Sequence, residues 1–337
     1  MKNMLSIASC LLLSFSSFAE EPTKLRWVIA HEPISVFQES ASHFEKAIEK
    51  HADGKLDVEV STRMDTAPSH YRSFNAFEII ERVHNGDVEM AQVPLYQVAH
   101  FQPEFYALDL PFAFNSYPHA EAVYDGEIGN RLLASLTTHG VRGLAFTYSG
   151  GNLSFVSKGK AIRTAADFKG RQVRTYYSPI ALETMRALGA TAFPFSSARK
   201  ALNYAQSSET AIASQTAKAL KERGVTSMTQ SLHRHYITVL VINEKFYKSL
   251  PPKLQKAVSN AAREAARIER QQSIKDEAKI IADIKASGIE YITMSDSERA
   301  KMKKMVKPVI DQYRFFYGDL PEKIQAVKPP LKISATN

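Results

Sequence analysis

The sequence predicts an α/β protein of two lobes braced by one long helix. Three observations carry that prediction. Strand-like runs alternate with amphipathic helical runs in two successive series, the first over residues 25–93 and the second from Arg142 onward. A chain of 337 residues with 44% hydrophobic content can fill two ordinary cores. Finally, a helical pattern opens at Pro251-Pro252 and continues without a breaker to about Ala286, which at 1.5 Å per residue spans about 50 Å.

In chain order, residues 25–30 read as a strand, 36–51 as an amphipathic helix and 56–61 as a second strand, a βαβ unit with a right-handed crossover. A helix over residues 74–84 stops at Asn85-Gly86, where glycine supplies a left-handed C-cap, and a strand follows over 88–93. The second series gives strands over 144–148 and 153–156, joined by a tight turn at Ser149-Gly150-Gly151-Asn152. It continues with a strand over 172–176, a helix over 180–188 stopped by Gly189, a strand over 191–195, a helix over 198–206 and a strand over 210–213. Residues 231–243, rich in Tyr, Ile, Thr and Val, form a strand long enough to pass between lobes. In the long helix, Ala257, Ala261, Ala262, Ala265 and Ala266 give way to Ile274, Ile281 and Ile284 on a helical period. A strand over 291–294 and a helix over 297–316 precede a Pro- and Lys-containing tail.

The N-terminus reads as a secretory signal: Lys2, the apolar run 4–15, then Ser17-Phe18-Ala19 as a small-x-small cleavage site, with the mature chain starting at Glu20. The run is too short and too rich in serine for a membrane anchor. Cys10, the only cysteine, leaves with the signal, so the mature chain can form neither an internal disulfide nor a thiolate metal site. The expected organisation is a signal over 1–19, a first lobe over 20–141, a second over 142–232, and a hinge strand, long helix and C-terminal helices over 233–337, part of which returns to the first lobe. No later segment is apolar enough to span a bilayer.

The net charge of +8 is modest, and basic residues are interleaved with acidic ones. That excludes a nucleic-acid-binding stripe and favours small anionic ligands. Phosphate loops, dinucleotide fingerprints, nucleophile elbows and zincin motifs are all missing. His233 and His235 could ligate a metal, but nothing in the sequence completes the set, and packing or hydrogen bonding is the expected role. Neither a metal nor a cofactor is expected. The charges at Glu45 and Glu49, Glu78 and Glu81, and Glu264 to Lys279 read as solvated helix faces. Phe101, Phe105, Phe112 and Phe114 read as core.

The run Phe101-Gln-Pro-Glu-Phe-Tyr-Ala-Leu-Asp-Leu-Pro-Phe-Ala-Phe114, followed by Tyr117-Pro-His-Ala-Glu-Ala-Val-Tyr-Asp-Gly126, resembles the signature of DctP-type solute-binding proteins of TRAP transporters. Asp167-Phe-Lys-Gly-Arg-Gln-Val-Arg174, Ala187-Leu-Gly-Ala190, Val241-Ile-Asn-Glu-Lys-Phe246 and Leu250-Pro-Pro-Lys-Leu-Gln-Lys256 extend the resemblance over nearly the whole mature chain. It implies a two-lobed periplasmic binding protein fold that closes on an organic acid and delivers it to TRAP membrane subunits, without catalysis. A monomer is expected. Arg174 matches the arginine with which the family grips a carboxylate.

Two departures stand out: Gly151-Asn152-Leu153 replaces a second arginine, and Ser208-Glu-Thr-Ala-Ile-Ala213 replaces the stretch that supplies an asparagine contact. Both shift the expected ligand towards monoacids or less charged solutes. Asn152 offers a neutral donor in the arginine's place. Position near strand ends, or on the hinge strand, adds His31, Glu32, Tyr96, Tyr148, Tyr176, Phe195 and His235 as candidate ligand contacts. The same receptor could instead report its ligand to a signalling partner, or have lost its transport role. An envelope hydrolase using Ser149 is the remaining alternative.

Overall fold

The computed structural model describes residues 21–29, 35–62, 77–195, 201–212 and 215–329. Its spine is one mixed sheet of nine strands: β1 (Thr23–Ile29), β2 (Leu56–Thr62), β3 (Met90–Pro94), β4 (Val141–Ser157), β5 (Gln172–Thr175), β6 (Thr191–Pro194), β7 (Ser207–Ala211), β8 (Ser227–Asn243) and β9 (Glu290–Thr293). The order is β2-β1-β3-β8-β4-β7-β5-β6, with β9 beside the start of β8. Parallel trios form at both ends, β2-β1-β3 and β6-β5-β7. Between them the two 17-residue strands β4 and β8 run antiparallel to each other.

The sequence pattern separates residues 144–148 from 153–156 by a turn, whereas β4 is a single strand. Gly150 and Gly151 take φ of 91° and 72°, so the chain bulges instead of reversing. Tyr148 faces Ile237 and Asn152 faces His235, so β4 holds two residues more than β8 across that interval. Gly151 admits no side chain here: a Cβ would run into the Tyr117 hydroxyl and the Glu277 carboxylate. The first part of β4 packs with β1, β3 and the opening of the long helix, through Leu144, Ala145, Phe146 and Tyr148. Beyond the bulge, Phe155 and Val156 belong to separate cores built with residues 162–225 and with the chain after Ile280.

The long helix runs Pro252–Ala286, as its period predicts. Its buried alanines Ala261, Ala262, Ala265 and Ala266 bring it close to Leu144, Ala145, Leu240 and Ile242. It then follows β4: Arg270 Nη1 donates to the Phe146 carbonyl at 2.7 Å, Ser273 Oγ to the Tyr148 carbonyl at 3.4 Å, and Glu277 accepts from Asn152. Ile284 ends in the core of Val156, Leu220 and Met228. The helical stop at Gly86 and the helix Glu78–Asn85 also follow the sequence pattern. After the helix Asp296–Gln312, the tail carries a further helix, Leu320–Ala326, that its proline content concealed.

One expectation is corrected. Glu269, Arg270 and Glu277 do not lie on a solvated face, and neither does Glu78; all four are buried. Side chains on the sheet-facing side of a long helix must be small or fully partnered, and these are partnered. Arg270 Nη2 pairs with Asp125 at 2.6 Å, and Glu78 pairs with Arg82 at 3.7 Å.

Glu269 meets neutral groups: the Gln92 amide donates to both its oxygens at 2.9 and 3.1 Å, beside the Thr147–Thr238 hydroxyl pair. Burial pushes its pKa up to about 8, against the hydrogen bonds from Gln92, Ser40 and Thr147. Between the unfolded value of 4.5 and about 8 the folded chain keeps a proton that the unfolded chain has lost, so this group lowers stability as pH rises. Glu269→Gln is therefore predicted to raise stability, and its advantage over the wild type to grow as pH rises from 5 towards 8, by on the order of 1 kcal/mol per unit. Urea unfolding across that range checks this, and a pH-independent difference would contradict it.

Candidate functional site

Around the carboxyl ends of β3, β5 and β6, the chain brings together residues from both of its halves. The centre is Arg174 on β5, only 1% exposed. Its Nε and Nη2 donate to the Phe195 carbonyl, at 2.8 and 2.5 Å, and its Nη1 donates to the Glu209 carbonyl at 2.8 Å. The guanidinium carbon lies 4.3 Å from the centre of the Tyr176 ring, which stacks on Tyr236 of β8 at 4.3 Å. Among the described residues no carboxylate is within ion-pair distance of Arg174. Among the described residues its neighbours are two carbonyl oxygens and the Tyr176 ring face, which orient the cation without neutralising it.

Tyr96, just after β3, closes this cluster from the other half of the sheet. Its ring is 6.4 Å from Tyr177, and burial pushes its hydroxyl up to about 12, with the Arg174 charge acting against the shift. Tyr176 and Tyr236 are likewise raised by burial, so all three phenols stay protonated and can donate. The Phe195 ring lies 6.0 Å from the exposed Tyr204. Four candidates, Arg174, Tyr176, Phe195 and Tyr96, are thus gathered in one place. Tyr177 and Tyr236 join them without having been singled out from sequence, where each reads as one more aromatic beside a strand.

Tyr148, Asn152 and His235 form a second cluster at the β4 bulge. His235 lies 5.7 Å from Tyr148, 5.0 Å from Tyr117 and 5.3 Å from Phe114, ring centre to ring centre. The Asn152 side chain donates to Glu277 at 3.3 Å, and the Tyr117 hydroxyl and Gln230 amide donate to the same carboxylate. Asn152 is therefore committed to the long helix. His31 and Glu32 lie outside the described residues, as does the side chain of Ser149.

Behind Arg174 lies a buried polar group that sequence reasoning missed. Arg234 of β8 donates to Asp109 at 2.6 Å and to Glu209 of β7 at 2.7 Å. Glu209 also accepts from Thr175 of β5 and bonds His233 at 2.7 Å, and His233 contacts Ser231 at 2.7 Å. Ser178 donates to Asp109. Burial alone would raise the Glu209 carboxyl, but Arg234 and His233 outweigh it and hold it down to about 2. His233, stacked on Phe155 at 4.8 Å, is thus a structural partner of Glu209.

Residues 29–315 match the DctP family, the bacterial extracellular solute-binding proteins of family 7. The chain belongs to this family. The 2,3-diketo-L-gulonate-binding periplasmic protein YiaO of Escherichia coli is 30% identical over 230 residues, 66% of this chain and 68% of that protein. The C4-dicarboxylate-binding periplasmic protein DctP of Rhodobacter capsulatus is 27% identical over 335 residues, 95% of this chain and 94% of that one. A TRAP periplasmic solute-binding protein of Ralstonia eutropha, solved with bound (S)-2-acetolactate, superposes with a TM-score of 0.81 at 21% identity, covering 90% of this chain and 98% of that one. The α/β fold with its bracing helix is therefore that of the TRAP solute-binding proteins. The DctP family comprises periplasmic solute receptors, and among the described residues no helix is long and apolar enough to cross a membrane. The Asp-Leu-Pro-Phe core of the DctP-like signature is where Asp109 sits, so in this chain that motif anchors Arg234.

Removing Arg234 would strand two buried carboxylates. Arg234→Ala is predicted to lose about 3 to 5 kcal/mol of stability. Urea denaturation measures it, and a loss below about 1 kcal/mol, the level of an exposed ion pair, would contradict the assignment.

Proposed function

We propose that this protein is a periplasmic receptor that captures a small monocarboxylate at Arg174 and hands it, chemically unchanged, to TRAP-type membrane subunits. The observation that carries the proposal is the state of Arg174: a buried guanidinium held by carbonyl oxygens against the Tyr176 ring, with no described carboxylate to balance it. A ligand carboxylate supplies that balance through charge-assisted hydrogen bonds worth about 1.5 to 3 kcal/mol each. Tyr96, Tyr176 and Tyr236 add donors and apolar ring faces for the body of the acid.

A single cation favours a single acid group. Asn152, at the position of the family's second arginine, is turned to Glu277 and contributes no charge. Of the acids named with the relatives, the keto sugar acid of YiaO and the acetolactate of the Ralstonia protein carry one carboxylate each, whereas the C4-dicarboxylate of the Rhodobacter protein carries two, so the monoacid preference rests on the single cation of this chain. Residues 1–19 serve as the export signal in this reading. Residues 20–141 and 142–232 act as lobes that close about β4, β8 and the long helix.

A thermal-shift screen of the mature protein against organic acids, sugar acids, amino acids and neutral solutes tests the proposal. A true ligand at 100 times its dissociation constant adds ~2.7 kcal/mol of stability. Arg174→Ala is predicted to weaken its binding by about 2 to 5 kcal/mol. Unchanged affinity in the variant, or a screen answered only by neutral solutes, would overturn the assignment.

A further inference from the structure

A cavity of about 490 Å³ opens at the second cluster, away from Arg174. That volume lies within the range of small-molecule sites, roughly 300 to 1,000 Å³. Its walls come from the 112–118 segment, from Asn152 on β4, from Leu232 and His235 on β8, and from Arg299, Ala300 and Lys303 on the helix Asp296–Gln312.

Two features distinguish it from a packing defect. Phe112 and Leu232, both lining it, have φ of 59° and 53°, the left-handed region that bulky residues avoid at a cost of order 1 kcal/mol or more. The Phe112 N–H holds that geometry by donating to the His233 carbonyl at 2.7 Å, and Leu232 stays 38% exposed, an apolar side chain with room beside it. His235 is only 7% exposed, yet its Nδ1 is buried without a hydrogen-bond partner. Buried polar atoms are normally paired; this one is an exception, closed off from the cavity that the rest of the ring lines. Burial, with His119 and His233 nearby, pushes the ring's pKa down to about 3, so it offers a neutral hydrogen bond and no charge.

The charge at this cavity comes from the helix. Arg299 is engaged by Asp296 and by the Met294 carbonyl, whereas Lys303, one turn on, has no ion-pair partner among the described residues. Aromatic and aliphatic walls beneath one free ammonium suit a particular ligand chemistry. We infer that this cavity is a second binding site, separate from Arg174, for a small amphipathic anion whose alkyl or aryl body lies on Phe112, Phe114 and Leu232 and whose acid group meets Lys303. Because its walls include Asn152 and His235, which face each other across β4 and β8, an occupant bears on the strands shared by both halves of the molecule.

The test is a fluorescence titration of the folded mature protein with 8-anilinonaphthalene-1-sulfonate, an aryl monoanion, followed by competition with octanoate. The expected result is one saturable site from which octanoate displaces the dye. Lys303→Glu should weaken the dye by about tenfold or more, since attraction becomes repulsion. Ala300→Trp, which adds bulk at the exposed mouth without disturbing the core, should abolish binding, with circular dichroism confirming the fold of both variants. Arg174→Ala should leave dye binding unchanged. Absence of a saturable site, retention of binding in Ala300→Trp, or loss of binding in Arg174→Ala would each overturn the inference, the last by placing the dye in the cleft.

Discussion

A guanidinium taken out of water must find anions or lose several kcal/mol, and the core of this molecule is arranged around that demand at Arg234. Its partners are Asp109, which ends the short helix Tyr106–Asp109, and Glu209, from β7. Glu209 in turn takes Thr175 of β5 and His233 of β8. One charge cluster thus ties β5, β7, β8 and the signature segment together. It also fixes the main chain at Glu209, whose carbonyl oxygen receives Arg174. The placement of Arg174 follows from the satisfaction of Arg234.

Arg174 and Arg234 show how the same side chain serves two purposes. Both are buried, at 1% and 5% exposure. Arg234 is neutralised through its Nη1 and Nη2 by two carboxylates and has no charge left to offer. Arg174 is positioned by two carbonyls and a tyrosine face, which orient the guanidinium without neutralising it. Orientation without neutralisation is what a carboxylate receptor needs, because a preordered cation costs little to bring to its ligand. The long helix supports this division of labour by following β4 through Arg270, Ser273 and Glu277 across the bulge, so that both halves of the sheet share one rigid element.

Much of this was legible in the residues. Alternating periodicities place the strands and helices, the alanine stripe marks the contact face of the long helix, and the family resemblance of the run ending at Arg174 singles out a side chain that the fold buries against Tyr176. What was not legible has a physical cause in each case. The bulge at Gly150-Gly151 reads as a turn because both need left-handed glycine, and only pairing with β8 tells them apart. Glu269 and Glu277 read as surface charge because helical spacing gives a face but not what covers it. Asp109 and Arg234 are 125 residues apart, and no local pattern announces a contact of that range. Asn152 reads as the last residue of the turn at Gly150-Gly151, but it is part of β4, and its side chain turns to Glu277.

The central claim is that Arg174 is held ready, and still charged, for a ligand carboxylate. The most direct measurement is ¹⁵N-edited NMR of the Arg174 Nε–H during titration with the organic acid that gives the largest thermal shift, assigned by comparison with Arg174→Lys. The account predicts that this resonance moves and becomes protected from exchange as the site fills, with the Arg234 Nε–H unchanged. A ligand that saturates the protein while the Arg174 signal stays where it was would contradict it.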